Sequence, residues 1–210
     1  MKACAGSLAW AESGIPFREG TAMEHPIKVL LCGNWLMAVC FGFYLAWWLT
    51  AFRPPEPRST PVTAGLLVLA FFTGLAGLYL CGRAMTARMA PVQPGISNLW
   101  IMGGGIVSYL LLLAVTALAF HRQVTSELLL ITAWAALELC VVNTLYRCGN
   151  LTQGAAGSLA ALTLAATLVC LVCYVLYYRL SYAAGYLDGC VPLALAIAVI
   201  LAVNLYTLRM

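Results

Sequence analysis

The chain reads as an all-α, polytopic integral membrane protein, a bundle of six transmembrane helices. Three observations predict this. The sequence is 63% hydrophobic, and only 9% of its 210 residues are charged, where a soluble domain carries roughly 25% charged residues. Its mean hydropathy is +0.94, so water would not keep such a surface dispersed. The apolar residues also fall into six runs, each near the roughly 20 residues that a helix needs to cross the hydrocarbon core.

The first run is Ile27–Phe52, and it stops at Arg53-Pro54-Pro55-Glu56-Pro57-Arg58, where successive prolines cannot continue a helix. The second is Val62–Cys81, followed by a polar stretch from Arg83 to Pro94. The third, Leu99–Phe120, ends at His121-Arg122, and the fourth, Leu128–Tyr146, at Arg147-Cys148-Gly149-Asn150. The fifth is Ala155–Tyr178, closed by a segment from Arg179 to Gly189, and the sixth is Cys190–Leu208. The runs are continuously apolar and do not alternate, which argues against a spanning β-barrel.

Residues 1–26 differ in kind. They hold Lys2, Glu12, Arg18, Glu19 and Glu24 and lack the continuous apolar core of a signal peptide. They are expected to form a flexible or interfacial extension ahead of a six-helix domain at 27–210. Met23 offers an alternative start of translation. Orientation follows from the basic residues on each side. With the N-terminus inside, Lys2, Arg18, Lys28, Arg83, Arg88, Arg147 and Arg209 share the cytoplasmic side, against Arg53, Arg58, Arg122 and Arg179 outside. Both termini are therefore expected in the cytoplasm. The short loops suit the cell membrane of a bacterium, its inner membrane, and the Asn150-Leu151-Thr152 sequon would then stay unmodified.

Tyr44, Tyr109 and Tyr174 stand 65 residues apart in the odd-numbered runs, and Trp35 and Trp100 repeat that interval. Leu78-Tyr79-Leu80-Cys81-Gly82-Arg83 resembles Leu145-Tyr146-Arg147-Cys148-Gly149-Asn150 in the even ones. Two explanations stand side by side: three helical hairpins in pseudo-repeat, or the general preference of Trp and Tyr for membrane interfaces.

Several chemistries are excluded. The net charge is +4 and its basic residues are scattered singly, which gives no nucleic-acid footprint. His25 and His121 lie outside the apolar runs, leaving a haem within the bundle without its ligands. No His/Cys/Asp/Glu cluster has the ligand count for a metal, and no nucleotide fingerprint or H-E-x-x-H occurs. No cofactor is expected. Most of the nine cysteines lie in or beside apolar runs, where cysteine packs as a small hydrophobe. Cys170-x-x-Cys173 has no basic neighbour to hold a thiolate and reads as packing.

Glu138 is the informative residue, because it lies mid-way along the fourth run. A carboxylate at that depth costs about 2.5–3.5 kcal/mol on insertion scales. It should therefore be protonated or strongly hydrogen-bonded and face the bundle interior. It would either meet a ligand or simply bond to a neighbouring helix. Trp134 stands one turn away on the same face, making a Trp134–Glu138 stripe the candidate pocket lining. Ser108 and Tyr109, deep in the third run, are further candidate ligand-binding residues, and Asn34, Asn98, Asn143 and Asn204 lie nearer the run ends. Gly103-Gly104-Gly105 is expected to break the third helix or let it approach a neighbour. Ala70, Gly74 and Gly77, and also Gly157, Ala161 and Ala165, form small-residue packing ridges. Trp47-Trp48 reads as an interfacial anchor. His121, Arg122, Glu127 and Asp188 could gather on the outer face.

No residue set identifies a catalytic centre. The leading reading is binding or transport of a small apolar or amine-bearing molecule inside the membrane. The alternatives are an accessory subunit docking a partner membrane protein or a second copy, and an intramembrane enzyme. The lipid bilayer is the one partner that composition requires.

Overall fold

The structure is a computed structural model, and it describes residues 19–53, 60–87, 91–119, 126–177 and 179–209. It is all-helical, with six helices and no strand among the described residues: α1 (Glu19–Ala51), α2 (Pro61–Thr86), α3 (Asn98–Ala119), α4 (Ser126–Arg147), α5 (Gln153–Tyr177) and α6 (Tyr182–Arg209). All six are long and apolar enough to cross a membrane. The protein is a multi-pass membrane protein. Helix α1 starts at Glu19, so the last part of the expected N-terminal extension is already helical; residues 1–18 lie outside the described set.

Local chemistry sets the helix ends. Thr60 caps α2: its hydroxyl accepts from the Thr63 backbone N–H, and the Thr63 hydroxyl oxygen accepts from the Thr60 N–H. Pro61, at the first helical position, gives up an N–H that would have had no partner. At the end of α4, Gly149 adopts φ 79°, a left-handed conformation that glycine takes at low cost. That turn lets Asn150 N–H bond Leu145 O and Gly149 N–H bond Tyr146 O, both at 2.9 Å, which closes the helix in a Schellman pattern. Val92 and Gln93 N–H then cover the last carbonyl of α4, Arg147 O, at 2.8 and 3.1 Å.

The helices run up and down, so the starts of α1, α3 and α5 and the ends of α2, α4 and α6 share one end of the bundle, here called proximal. The other end is called distal. The pairs α1–α2, α3–α4 and α5–α6 pack as hairpins. Helix α1 joins α2 to α6, α6 joins α5, and α5 joins α4. Helix α4 is the central element, with 61% of its spanning window buried; α3 hangs on α4 alone, with 6% buried.

Glycine decides how α1 and α2 pack. A Cβ on Gly33 would come within 2.8 Å of Cys81 Sγ, and one on Gly77 within 3.0 Å of Gly33 O. The ridge of Ala70, Gly74 and Gly77 thus brings the two backbones together within the chain, in the manner of small-residue membrane interfaces. The second ridge behaves differently. Gly157, Ala161 and Ala165 are exposed on α5, which buries Leu159, Thr163, Ala166 and Cys170 instead. Helix α3 continues unbroken through Gly103-Gly104-Gly105; Gly105 abuts Ala136, and nothing lies within 4 Å of a Cβ on Gly103 or Gly104.

Two apolar clusters fill the interior. The proximal one gathers Leu30, Cys81, Val141, Leu145 and Val203 with neighbours, and the other gathers Met37, Trp134, Ala166, Ala196 and Ile200 nearer mid-bundle. Trp48, expected as an interfacial anchor, is 8% exposed and points inward, its Nε1–H donating to Tyr186 O at 3.0 Å. The cause is Gly189, where a Cβ would overlap the Trp48 indole. Without a side chain at that position, α6 admits the ring.

Candidate functional site

Two features stand out within the apolar interior. The first is a cluster on three helices. Asn34 of α1 donates from Nδ2 to Glu138 Oε1 of α4 and to Asn204 Oδ1 of α6, each at 3.2 Å. Asn34 and Asn204 are 0% exposed and Glu138 is 1% exposed. Asn34 Oδ1 and Asn204 Nδ2 have no hydrogen-bond partner among the described residues. The amide of Asn34 thus ties a membrane-depth carboxyl to a third helix.

The second feature is a cavity of about 580 Å³, within the usual range of small-molecule sites. Five helices line it; α3 does not. Its floor at mid-bundle is apolar, with Met37 beside the small residues Ala70, Gly74 and Ala196. Around it stand Phe41, Tyr44, Trp48, Phe71, Trp134 and Tyr174. The Phe41 and Trp134 rings meet edge to face, with centroids 6.4 Å apart. Trp134 Nε1 is buried without a partner among the described residues. Among the described lining residues, charge enters at the distal end, through Glu127 in the first turn of α4 and Asp188 in the second turn of α6. No Lys or Arg is among the described lining residues.

Pro192 sharpens the distal end. It lies inside α6 and in the cavity wall, and a proline has no N–H to give the carbonyl four residues earlier. That carbonyl belongs to Asp188. The Asp188 carboxylate takes a side-chain hydrogen bond from Cys173 of α5. Cys170 turns its thiol toward Pro192 O instead, at 4.0 Å.

The residues singled out in the sequence divide among these features. Trp134 lines the cavity. Glu138 lies one turn below it on α4, outside the lining and within the polar cluster. Ser108 is exposed on α3 and Tyr109 half-buried there, both away from the cavity. Asn98 and Asn143 form a separate network at the proximal end: Asn143 Nδ2 donates to Asn98 Oδ1 at 2.6 Å, and Asn98 Nδ2 to Thr144 Oγ1 at 2.8 Å. That network pins the start of α3 to α4. Glu127 and Asp188 share the cavity, while His121 and Arg122 lie outside the described residues. Tyr44 and Tyr174 of the 65-residue series line the cavity and Tyr109 does not. Among the described residues no group of three or more His, Cys, Asp or Glu side chains is placed to hold a metal.

No family model, curated protein or solved structure matches the chain.

Proposed function

We propose that the protein binds a small apolar or amine-bearing molecule in this cavity. The observation that carries the reading is the composition of the walls: aromatic and aliphatic throughout, with two carboxylates and no Lys or Arg among the described lining. An apolar body gains by leaving water or lipid for a shaped aromatic enclosure. A positive group gains at Glu127 and Asp188, and the Tyr and Trp faces nearby favour it further. An anion would meet repulsion. The cavity occupies the distal half of the bundle, while Leu30, Val141, Leu145 and Val203 fill the proximal half. A site built on one half and sealed on the other suits a transporter held in one of its two states. Uptake into proteoliposomes distinguishes transport from binding alone.

The test of binding is thermal unfolding of the purified protein in detergent with matched pairs of amines and alcohols on the same apolar body. The amine is expected to raise the midpoint in wild type and to lose most of that effect in Asp188→Asn and Glu127→Gln. If amines, alcohols and hydrocarbons all leave the midpoint unchanged, the cavity is not a ligand site.

A second reading, docking to a partner membrane protein, has its own support in Gly157, Ala161 and Ala165, which face outward on α5. Small residues let helix backbones approach, and this ridge is unused inside the chain. It predicts that Ala161→Leu abolishes assembly with a partner and leaves the cavity intact.

A further inference from the structure

We infer that the ligand is an alkylammonium amphiphile, a positive amine on a hydrocarbon chain, and that it enters from the lipid phase between α2 and α4. The inference rests on the cavity reading above and adds a ligand class and a route.

The route follows from how α2 is held. Its contacts are overwhelmingly with α1, through Gly33, Gly74 and Gly77. It approaches α4 at the proximal end, where Cys81 and Ala84 join Val141 and Leu145 in one apolar cluster. In the distal half the cavity lies between the two helices: Leu67, Phe71 and Leu75 line it from α2, and Leu130 and Ile131 from α4. These wall residues are also outward-facing. Leu67, Phe71, Leu75 and Leu130 are 41–64% exposed, so no other described helix covers the cavity wall along this seam. Among the described residues named there, a hydrocarbon chain in the bilayer meets only apolar side chains.

The ligand class follows from how polarity is distributed along the cavity. Glu127 and Asp188 mark the distal end, where a membrane has its headgroups. The floor of Met37, Ala70, Gly74 and Ala196 lies toward the bilayer centre. A molecule with a charged head outward and an apolar tail inward matches both ends without stranding either. Acidic residues near helix starts are commonly explained by the helix dipole, and that suffices for Glu127, which lies in the first turn of α4. Asp188 lies beyond the first turn of α6 and in the cavity wall, where the helix dipole does not account for it. Its carboxylate, in a wall with no Lys or Arg among the described lining residues, calls for a donor with a positive charge, which a primary ammonium supplies.

Such a head could belong to a free long-chain amine or to an ethanolamine phospholipid with one chain in the cavity, and the experiment separates them. The full chain is reconstituted in nanodiscs of phosphatidylcholine and titrated with dodecylamine or dodecanol, with tryptophan fluorescence and the unfolding midpoint as readouts. Dodecylamine is expected to bind and dodecanol to bind about tenfold more weakly, with the difference removed by Asp188→Asn. Glu127→Gln serves as the second variant should Asp188→Asn fold poorly. Val68→Trp, at an exposed position of α2 beside the seam and outside the cavity lining, is expected to slow dodecylamine binding several-fold while leaving its final affinity within about twofold. If ethanolamine phospholipid in the disc raises the midpoint and competes with dodecylamine, the natural source is the lipid; if it does neither, the source is a free amine. Tight binding of a short water-soluble amine such as benzylamine, with dodecylamine inert, overturns this inference and leaves the cavity reading standing. Inertness of every compound overturns both.

Discussion

Replacing Asn34 with Leu tests whether the polar cluster holds α1, α4 and α6 in register. Asn34 makes both hydrogen bonds in the cluster, to Glu138 and to Asn204, each at 3.2 Å. Side-chain bonds inside membranes average about 0.6 kcal/mol and reach about 1.7 kcal/mol, so losing two costs about 1–3 kcal/mol. The Glu138 and Asn204 oxygens lose that donor in a fully buried place, and a stranded buried acceptor adds a penalty of the same order. The expected loss is about 2–4 kcal/mol in equilibrium unfolding from mixed micelles. Glu138→Gln keeps an oxygen that accepts from Asn34 and should cost under about 1 kcal/mol. Asn34→Leu combined with Glu138→Leu should be less damaging than the sum of the two by about 1–2 kcal/mol, because donor and acceptor leave together. An Asn34→Leu protein within about 0.5 kcal/mol of wild type would refute the argument, since surface changes commonly cost that little. So would Glu138→Gln costing as much as Asn34→Leu, which would mean that a charge and not a hydrogen bond holds the cluster.

Other changes separate positions that resemble one another in the sequence. Gly77→Leu is expected to separate α1 from α2 and prevent folding, because even a Cβ there lies 3.0 Å from Gly33 O; Gly104→Ala, with open space around it, should be neutral or stabilise by up to about 1 kcal/mol, both read by the unfolding midpoint. Gly189→Ala should displace the Trp48 indole and break its bond to Tyr186 O, detected as a red shift in tryptophan emission together with a lowered midpoint. Among thiols, exposed Cys32 should react with a small maleimide in micelles well before buried Cys81, as mass spectrometry of the labelled protein would show; equal rates would contradict the α1–α2 packing.

Helix number and course were legible because each depends on local properties: an apolar stretch of spanning length, then proline, glycine or charge. The neighbours of Glu138 were not. Its depth marked it as needing a partner, but Asn34 lies 104 positions away in sequence, and Asn34 and Asn204 are 170 apart. Periodicity tells which face of a helix a residue shares, not which helix that face meets. For the same reason Ser108 and Tyr109 looked equivalent to Trp134 in depth. They differ because α3 packs on α4 alone and leaves most of its surface to lipid. Glu127 and Asp188 were visible as residues of one outer end, but their place in a cavity wall depends on how α4 and α6 tilt around it. Trp48 misled because a Trp near a helix end usually marks an interface, and the space that draws it inward is made by a glycine on a different helix.

The position of the polar cluster has a physical logic of its own. Helices in lipid gain little from burying leucine against leucine, since the hydrocarbon outside is equally apolar. Surfaces built only of Leu, Val and Ala would slide past one another with little change in energy. A buried polar group removes that degeneracy, because displacing it by one turn leaves donors and acceptors unpaired in a medium that cannot satisfy them. Asn34, Glu138 and Asn204 lie where the sealed proximal core gives way to the cavity, with Asn34 and Glu138 one turn from the lining residues Met37 and Trp134. There they fix three helices against each other immediately below the site. Above that point the cavity lies between α2 and α4, so the register of the bundle is set below it and does not depend on contact between those two helices.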